Sequence, residues 1–400
     1  MEVFVARQPI FDKKLQVFAY ELLYRIGMEN HFSEHDGDRA TSEVIANSFL
    51  LIGTQNLTVG KRAFINFTHN LIMNQTPMLL PREQIAVEIL ESVTPCQELI
   101  HVCRQLKDEG YMLVLDDFVF REEFLPLIEL ADIVKVDFLS TPVETRQNLI
   151  RNFRSEKTKF LAEKLENRGS YELALEMGYD YFQGNFFAVP DIMTGKEVPG
   201  YKINYLRMLR EVHRPEVTFE VLENIVKRDI SLSFKLLTYI NSAAFGVRCK
   251  IKSLKQALVM LGFDELKKWI SIAALKSLGE DRPNEVFISS LVRARFGELV
   301  AEKMNSPHSS DIFLMGMLSR IDVFINREIS EVVEDLPISD EIKKVLSGQQ
   351  GEFSQIFQLV VTYEQGEWDR VEELARDLRL CHGLLPELFL DAVKWTVSYS

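Results

Sequence analysis

Residues 84–118 read QIAVEILESVTPCQELIHVCRQLKDEGYMLVLDDF. A helix-like segment at 96–110 lies between two apolar, strand-like runs, QIAVEIL and YMLVLDDF. Alternation of strand, helix and strand indicates parallel strands joined by crossover helices. Because the first half of the chain repeats this order, we expect an α/β fold there.

Each apolar run of the first half ends in polar or charged residues. The runs read FINF, VEILE, LVLDD, VKVD, FLAE and YFQ, and their polar ends are Asn66, Glu88 with Glu91, Asp116 with Asp117, Lys135 with Asp137, Glu163 and Gln183. Strands that end in this way, with helix-length intervals between them, are typical of a β/α barrel whose strand C-termini meet on one polar face. The sequence therefore predicts a TIM-like α/β barrel with a site on that face.

The chain is long enough for two domains. Its 400 residues are 46% apolar, and a single core stops growing at roughly 250 to 300 residues. Proline and glycine between positions 190 and 200 interrupt regular structure, and beyond Tyr201 apolar residues recur at helical spacing. We predict a barrel domain at 1–195, a linker at 196–205 and an all-α domain at 206–400.

Charge and cysteine content exclude several classes of protein. The formal net charge is -13, which argues against nonspecific binding of nucleic acid, because that task needs a basic surface. The four cysteines lack zinc-like spacing and are expected to be reduced core thiols. No stretch approaches the roughly 18 apolar residues of a membrane span, so we expect a cytoplasmic protein that binds no membrane.

The strand-end residues have the chemistry of a metal site. Carboxylate and amide oxygens from several strands suit Mg²⁺ or Mn²⁺, and two such ions about 3.5 to 4 Å apart promote in-line displacement at phosphorus. Glu21 is expected at the end of an N-terminal strand as a metal ligand, with Arg25 reaching a phosphate; the alternative is a surface ion pair. Lys135 either orients or deprotonates the attacking water, or pairs with Asp116 or Glu163.

The motifs ARQPIFDKKLQVFAYELLYR, INFT, VEILES, LDDF, VKVD, AEKLEN and FQGNFFAVP resemble the EAL domain family in order and spacing across residues 1–190. The resemblance implies a β/α barrel that hydrolyses cyclic di-GMP to linear pGpG with two Mg²⁺ or Mn²⁺ ions. It implies metal ligands at Glu21, Asn66, Glu88, Asp116, Asp117 and Glu163. It also implies a catalytic set of Lys135, Glu21 and Glu163, a substrate-binding set of Arg25, Gln183 and Asp117, and a loop-anchoring role for Glu91.

One loop departs from the EAL pattern. The motif continues as DDFVFREEFLP, so Val119 stands where the family has glycine, and the segment at 118–126 is slightly short. Glycine adopts backbone conformations that valine does not adopt cheaply. Three functions stay open: a cyclic di-GMP phosphodiesterase, a receptor that binds cyclic di-GMP without turnover, and a scaffold. The homodimer common in the family is a further possibility.

The second half resembles the HDOD family, which is related to HD hydrolases. The resemblance rests on NSAAFG at 241–246 and the following KIKSLKQALVMLGFDELKKWI. Ser319 and Arg320 stand at the positions of the metal-binding His-Asp pair. We therefore expect no catalysis and no metal in this half, but a regulatory module whose unknown protein partner could contact Phe245, Phe263 or Trp269.

Overall fold

The computed structural model describes residues 3–26, 57–91, 93–116, 122–155, 157–188, 200–241, 251, 253–381 and 383–399. These residues form two compact units. The first falls within Met1–Val189 and Leu359–Val393, and the second falls within Pro190–Gln358 and Lys394–Ser400.

Eight strands form a closed barrel in chain order: β1 (Val3–Asp12), β2 (Val17–Ile26), β3 (Arg62–Phe67), β4 (Ile85–Ile89), β5 (Met112–Leu115), β6 (Ile133–Asp137), β7 (Lys159–Glu163) and β8 (Tyr181–Gln183). From β2 to β8 neighbouring strands are parallel, whereas β1 is antiparallel to both β2 and β8. The predicted α/β barrel is confirmed, with one antiparallel strand that the sequence pattern did not indicate.

The described helices between β3 and β8 are α1 (His69–Met73), α2 (Gln97–Asp108), α3 (Leu125–Ile128), α4 (Val143–Phe153) and α5 (Arg168–Met177). Each follows one parallel strand, as crossover connections require. Their apolar residues pack on the outward-facing residues of the strands in one large core. A second, smaller core fills the inside of the barrel with Ile10, Ala19, Phe64, Ala86, Val114, Ile133 and Leu161, each at most 1% exposed.

The second half is helical, as predicted. The described helices there are α6 (Gly200–Val212), α7 (Phe219–Arg228), α8 (Ile230–Ile240), α9 (Leu254–Leu278), α10 (Asn284–Lys303), α11 (Ser309–Leu318), α12 (Ile321–Ile325), α13 (Ile329–Glu334), α14 (Asp340–Leu346), α15 (Ser354–Gln365), α16 (Trp368–Asp377) and α17 (Leu384–Thr396). Within the described residues, every helix is too short or too polar to cross a membrane.

The grouping of the last helices differs from the predicted domain limits. Residues 359–393 belong to the barrel unit: Leu390 joins the barrel's outer core, and Gly366 lies against β2, where an added Cβ would be 3.1 Å from Cδ1 of Leu23. Of the predicted linker, 196–199 lie outside the described residues, and 200–205 open helix α6. The division into domains at 1–195 and 206–400 stays a prediction.

Several residues singled out from the sequence have an ordinary structural role. Cys103 is a buried thiol, as expected, but Cys381 is exposed. Trp269 packs in the core of the helical unit and is 5% exposed, so it offers no partner surface. The hydroxyl of Ser319 donates to the carbonyl oxygen of Gly316 at 2.7 Å. Cys249 and Phe245 lie outside the described residues.

If Leu390 is part of the barrel core, Leu390→Ala should lower the free energy of unfolding by about 2 to 5 kcal/mol, the usual cost of a buried Leu→Ala change. Leu79→Ala is the matched control, since Leu79 lies in the same unit and is 81% exposed. Urea unfolding followed by circular dichroism measures both. Equal losses in the two variants would show that residues 359–393 do not belong to this core.

Candidate metal centre at the strand ends of the barrel

The candidate site residues lie directly above the apolar interior of the barrel. Since successive residues of a strand point to opposite faces, residues two apart share a face. Each site residue stands two positions after a residue of the inner core, as Glu88 does after Ala86. The same spacing brings together Glu21, Asn66, Glu88, Asp116, Lys135, Glu163 and Gln183. The strand pattern alone therefore places seven predicted site residues on the inner face of the barrel.

The ammonium group of Lys135 lies among four carboxylates. Its Nζ is 2.7 Å from an oxygen of Asp116 and of Glu163, 2.8 Å from Oε1 of Glu88 and 3.2 Å from Oε2 of Glu21. Lys135 is 1% exposed. One positive charge faces four potential negative charges, so the cluster attracts further cations.

The sequence left two roles open for Lys135: acting on the attacking water, or pairing with Asp116 or Glu163. The ion pairs with Asp116 and Glu163 agree with the second role. A role in orienting or deprotonating water stays a prediction. Glu21 was predicted at the end of a strand, which is wrong: β2 runs on to Ile26 because it pairs with β1 along its whole length. Its side chain is buried inside the barrel, so it is not part of a surface ion pair.

The pKa values of this cluster reflect burial and crowding of like charges. Burial, with the negative charge of Glu21 next in size, raises the pKa of Glu88 well above its usual value. Burial likewise raises the pKa of Glu163 to about 8, against the opposing effect of Lys135. Burial disfavours the charge on Lys135, but the surrounding carboxylates outweigh it and raise its pKa well above the usual range. Carboxylates held in this way are stabilised in their charged form by cations.

Two amide side chains hold Glu21. Gln183 donates from Nε2 to Oε2 of Glu21 at 2.7 Å and to Oε1 of Gln8 at 3.1 Å. Asn66 donates from Nδ2 to Oε1 of Glu21 at 3.4 Å. Because both amides direct their N–H groups at Glu21, their carbonyl oxygens point away from it.

Oxygen atoms without partners test whether a divalent cation fits here. Oδ1 of Asn66, Oε2 of Glu88 and Oε1 of Gln183 are buried and have no hydrogen-bond partner among the described residues. A buried oxygen with an unused lone pair is costly in a protein interior, and such oxygens are the ligands that Mg²⁺, Mn²⁺ and Ca²⁺ prefer. The donor set fits a hard divalent cation.

The geometry is not that of a preformed site. Among the residues that the structure describes, no group of three or more carboxylate, histidine or cysteine side chains has the arrangement of a metal-binding site. The position between the carboxylates of Glu21, Glu88, Asp116 and Glu163 is taken by the Lys135 ammonium. Ligation by these carboxylates therefore requires that Lys135 and the cation share the cluster in a rearranged geometry.

Some predicted site residues are not tested by the structure. Asp117 and residues 118–121 lie outside the described residues, as does the side chain of Arg25, whose backbone is part of β2. Glu91 is exposed just beyond β4. Of the loop at 118–126 that it was expected to anchor, only 122–126 are described, as a 3-10 turn and the start of α3.

Gln8 is a site residue that the sequence analysis missed. It lies on β1, opposite Glu21 in the register of the two strands, and bonds to Gln183. Because β1 is antiparallel to its neighbours, its site residue comes two positions before the inward-facing Ile10 rather than after it. The motif ARQPIFD contained this signal, but reading it requires the direction of the strand.

Removing the ammonium of Lys135 should expose the repulsion among the carboxylates. In EDTA, Lys135→Met should lower the free energy of unfolding by about 3 to 5 kcal/mol, the cost of breaking a buried ion pair. Lys107→Met is the matched control, because Lys107 pairs with Asp132 at a position that is 30% exposed and should cost about 1 kcal/mol or less. If urea unfolding shows that Lys135→Met loses less free energy of unfolding than Lys107→Met, the buried cluster does not depend on the lysine.

Two protein-family models match successive parts of the chain, the same two parts that its motifs indicate. The model of the EAL domain matches residues 52–190, and the model of the HDOD domain matches residues 199–342. Glu21 and Gln8 precede the first of these spans, so their place in the site rests on the barrel geometry.

Two curated relatives span nearly the whole chain. The "Uncharacterized protein YuxH" of Bacillus subtilis (strain 168) is 40% identical over 403 residues, which cover 99% of this chain and 98% of that protein. The "Cyclic di-GMP phosphodiesterase CdgJ" of Vibrio cholerae serotype O1 is 35% identical over 400 residues, which cover 98% of this chain and 92% of that protein. The chain is therefore similar to both relatives over nearly its whole length.

Among solved structures, the manganese and cyclic di-GMP complex of Klebsiella pneumoniae BlrP1 is 21% identical, with a TM-score of 0.38. The match covers 46% of this chain and 55% of that chain. At this identity and TM-score the likeness bears on neither the substrate nor the activity of the present chain.

Proposed function

Because the chain belongs to the family of proteins that join an EAL domain to an HDOD domain, we propose that its barrel binds cyclic di-GMP and hydrolyses it to linear pGpG. The observation that carries this proposal is the buried cluster of four carboxylates and two amides above the inner core of the barrel. A cluster of this kind is costly to fold unless cations compensate its charge.

The residues that would hold two Mg²⁺ or Mn²⁺ ions are Glu21, Asn66, Glu88, Asp116, Asp117 and Glu163. When bound, such ions activate a water molecule and stabilise the attacking and leaving oxygens of an in-line displacement. Asn66 and Glu88 support this assignment, since each has a buried oxygen without a hydrogen-bond partner in the described part of the chain.

The chain's own residues supply orientation and hydrogen bonds. Lys135, with three N–H donors on its ammonium group, would orient the attacking water while it neutralises part of the carboxylate charge. Gln183 holds Glu21 through its N–H group and keeps its carbonyl oxygen for a donor on the substrate. Arg25 would contact a phosphate oxygen, for which a guanidinium group is well suited.

For the helical half we propose a regulatory or protein-interaction role without catalysis. Ser319 and Arg320 replace the metal-binding pair of HD hydrolases, and the Ser319 hydroxyl is used within its own helix turn. Location in the cytoplasm, an unidentified protein partner and a homodimer belong to this proposal as well.

Glu88→Gln should abolish turnover while leaving the fold intact, because the amide keeps the size of the side chain but not its charge. We expect purified wild-type protein with Mn²⁺ or Mg²⁺ to convert cyclic di-GMP to pGpG, and the variant to be slower by roughly 100-fold or more. Glu144→Gln is the matched control, since Glu144 is exposed on α4 and should keep full activity. Product formation by Glu88→Gln at the wild-type rate would remove this site from catalysis.

A receptor that binds cyclic di-GMP without turnover is the second candidate, favoured by Val119 at the glycine position of the family loop. If that loop limits turnover, Val119→Gly should raise kcat and leave the Kd for cyclic di-GMP nearly unchanged, because glycine restores backbone freedom. Liquid chromatography gives the rate, and titration calorimetry in Ca²⁺ gives the Kd. An unchanged kcat would show that the valine is not the limiting feature.

A further inference from the structure

The helical unit contains a cavity of about 280 Å³. It lies among the end of α6, helices α9 to α11 and the segment before α14. Its lining includes the apolar residues Phe313, Leu314 and Met317 as well as His213 and Lys267. Neither the carboxylate cluster of the barrel nor the degenerate pair at Ser319 and Arg320 is part of it.

His213 brings an imidazole ring to the lining of this cavity. Oγ of Ser271 lies 2.9 Å from the carbonyl oxygen of Lys267 and 2.9 Å from Nε2 of His213. When the serine donates to this carbonyl, its oxygen accepts from Nε2–H of His213, and Nδ1 is then an acceptor. Among the described residues, Nδ1 of His213 has no hydrogen-bond partner.

The imidazole of His213 stays neutral at physiological pH. Burial, with the nearby positive charge of Lys267, lowers its pKa to about 3. A neutral ring in this tautomer accepts a hydrogen bond through Nδ1 and does not repel a cationic or N–H donor group.

Lys267 presents an ammonium group without a partner. It is half-buried, and its Nζ makes no hydrogen bond or ion pair with any described residue. The adjacent Lys268, by contrast, is held by both carboxylate oxygens of Glu298 at 2.6 and 2.8 Å and lies 4.0 Å from the centre of the Phe313 ring. Burying a charge without a partner is unfavourable, so an anionic group next to Lys267 would be stabilised.

Carboxylates stand close to Lys267 without pairing with it. Burial lowers the pKa of Lys267, and the negative charges of Asp264 and Asp311 oppose this effect. Asp264 is exposed, and Asp311 lies 3.1 Å from Nδ1 of His308. The cavity thus offers one unpaired cation, one neutral acceptor and neighbouring carboxylates to whatever enters it.

We propose that this cavity binds a small zwitterion of the amino-acid class with an apolar side chain. Its carboxylate would lie at Lys267, its ammonium group would donate to Nδ1 of His213 and face Asp311, and its side chain would pack on Phe313 and Met317. A volume of about 280 Å³ falls just below the roughly 300 to 1,000 Å³ of pockets for drug-sized ligands. That size suits an amino acid.

Thermal unfolding of the full chain with L-leucine, L-methionine or L-phenylalanine at millimolar concentration tests the proposal. We expect at least one of them to raise the Tm by roughly 5 °C at saturation, since a ligand that binds only the folded state stabilises it. The analogues 4-methylpentanoate and isoamylamine, which lack the ammonium and the carboxylate of leucine respectively, should give no shift. Titration calorimetry then gives the Kd of the active compound.

Lys267→Met should weaken that Kd by about 10-fold or more, the loss of one charge-assisted contact, and Lys267→Arg should restore most of it. Lys255→Met is the matched control, because Lys255 lies in the first segment of α9, before the break at Gly262, is exposed and is not part of the cavity lining. An absence of any shift with the amino acids would overturn the proposal. So would an equal shift with either analogue, a shift with GMP or inorganic phosphate instead, or an equal loss of affinity in Lys255→Met.

Discussion

The buried ammonium group of Lys135 is the interaction on which the barrel site depends. It lies within 3.2 Å of four carboxylates on four other strands, so it joins strands that are distant in sequence. Without it, like charges would face one another in a largely buried region. The same excess of negative charge that the lysine only partly neutralises is what makes the strand ends suitable for divalent cations.

The inner core fixes the height of this cluster in the barrel. Small residues, Ala19 and Ala86, and larger ones, such as Phe64 and Leu161, close the barrel below the site. The period of two along each strand then requires that the next inward-facing residue meets its counterparts on the other strands. The polar cluster and the packing are thus set by the same strands, and a shift in register by one residue would turn a carboxylate into the outer core.

The sequence predicted much of this site because strand-end residues are read directly from apolar runs, as at Asn66 and Glu88. It missed Gln8 because β1 is antiparallel, so the order of core and site residues is reversed. It also gave no sign that residues 359–393 join the barrel unit, since a contact such as that of Gly366 with Leu23 links positions far apart in the chain. The sequence also gave no sign that His213 and Lys267 line one cavity, because only folding brings α6 and α9 together around it.

Titration of the metal-free wild-type protein with Mn²⁺, followed by electron paramagnetic resonance of the free ion, tests the central claim most directly. The account predicts two bound ions per chain with cyclic di-GMP present, and the loss of at least one of them in Glu88→Gln but not in Glu144→Gln. Binding of the same number of ions by all three proteins, or of none by the wild type, would contradict a metal centre at the strand ends of the barrel.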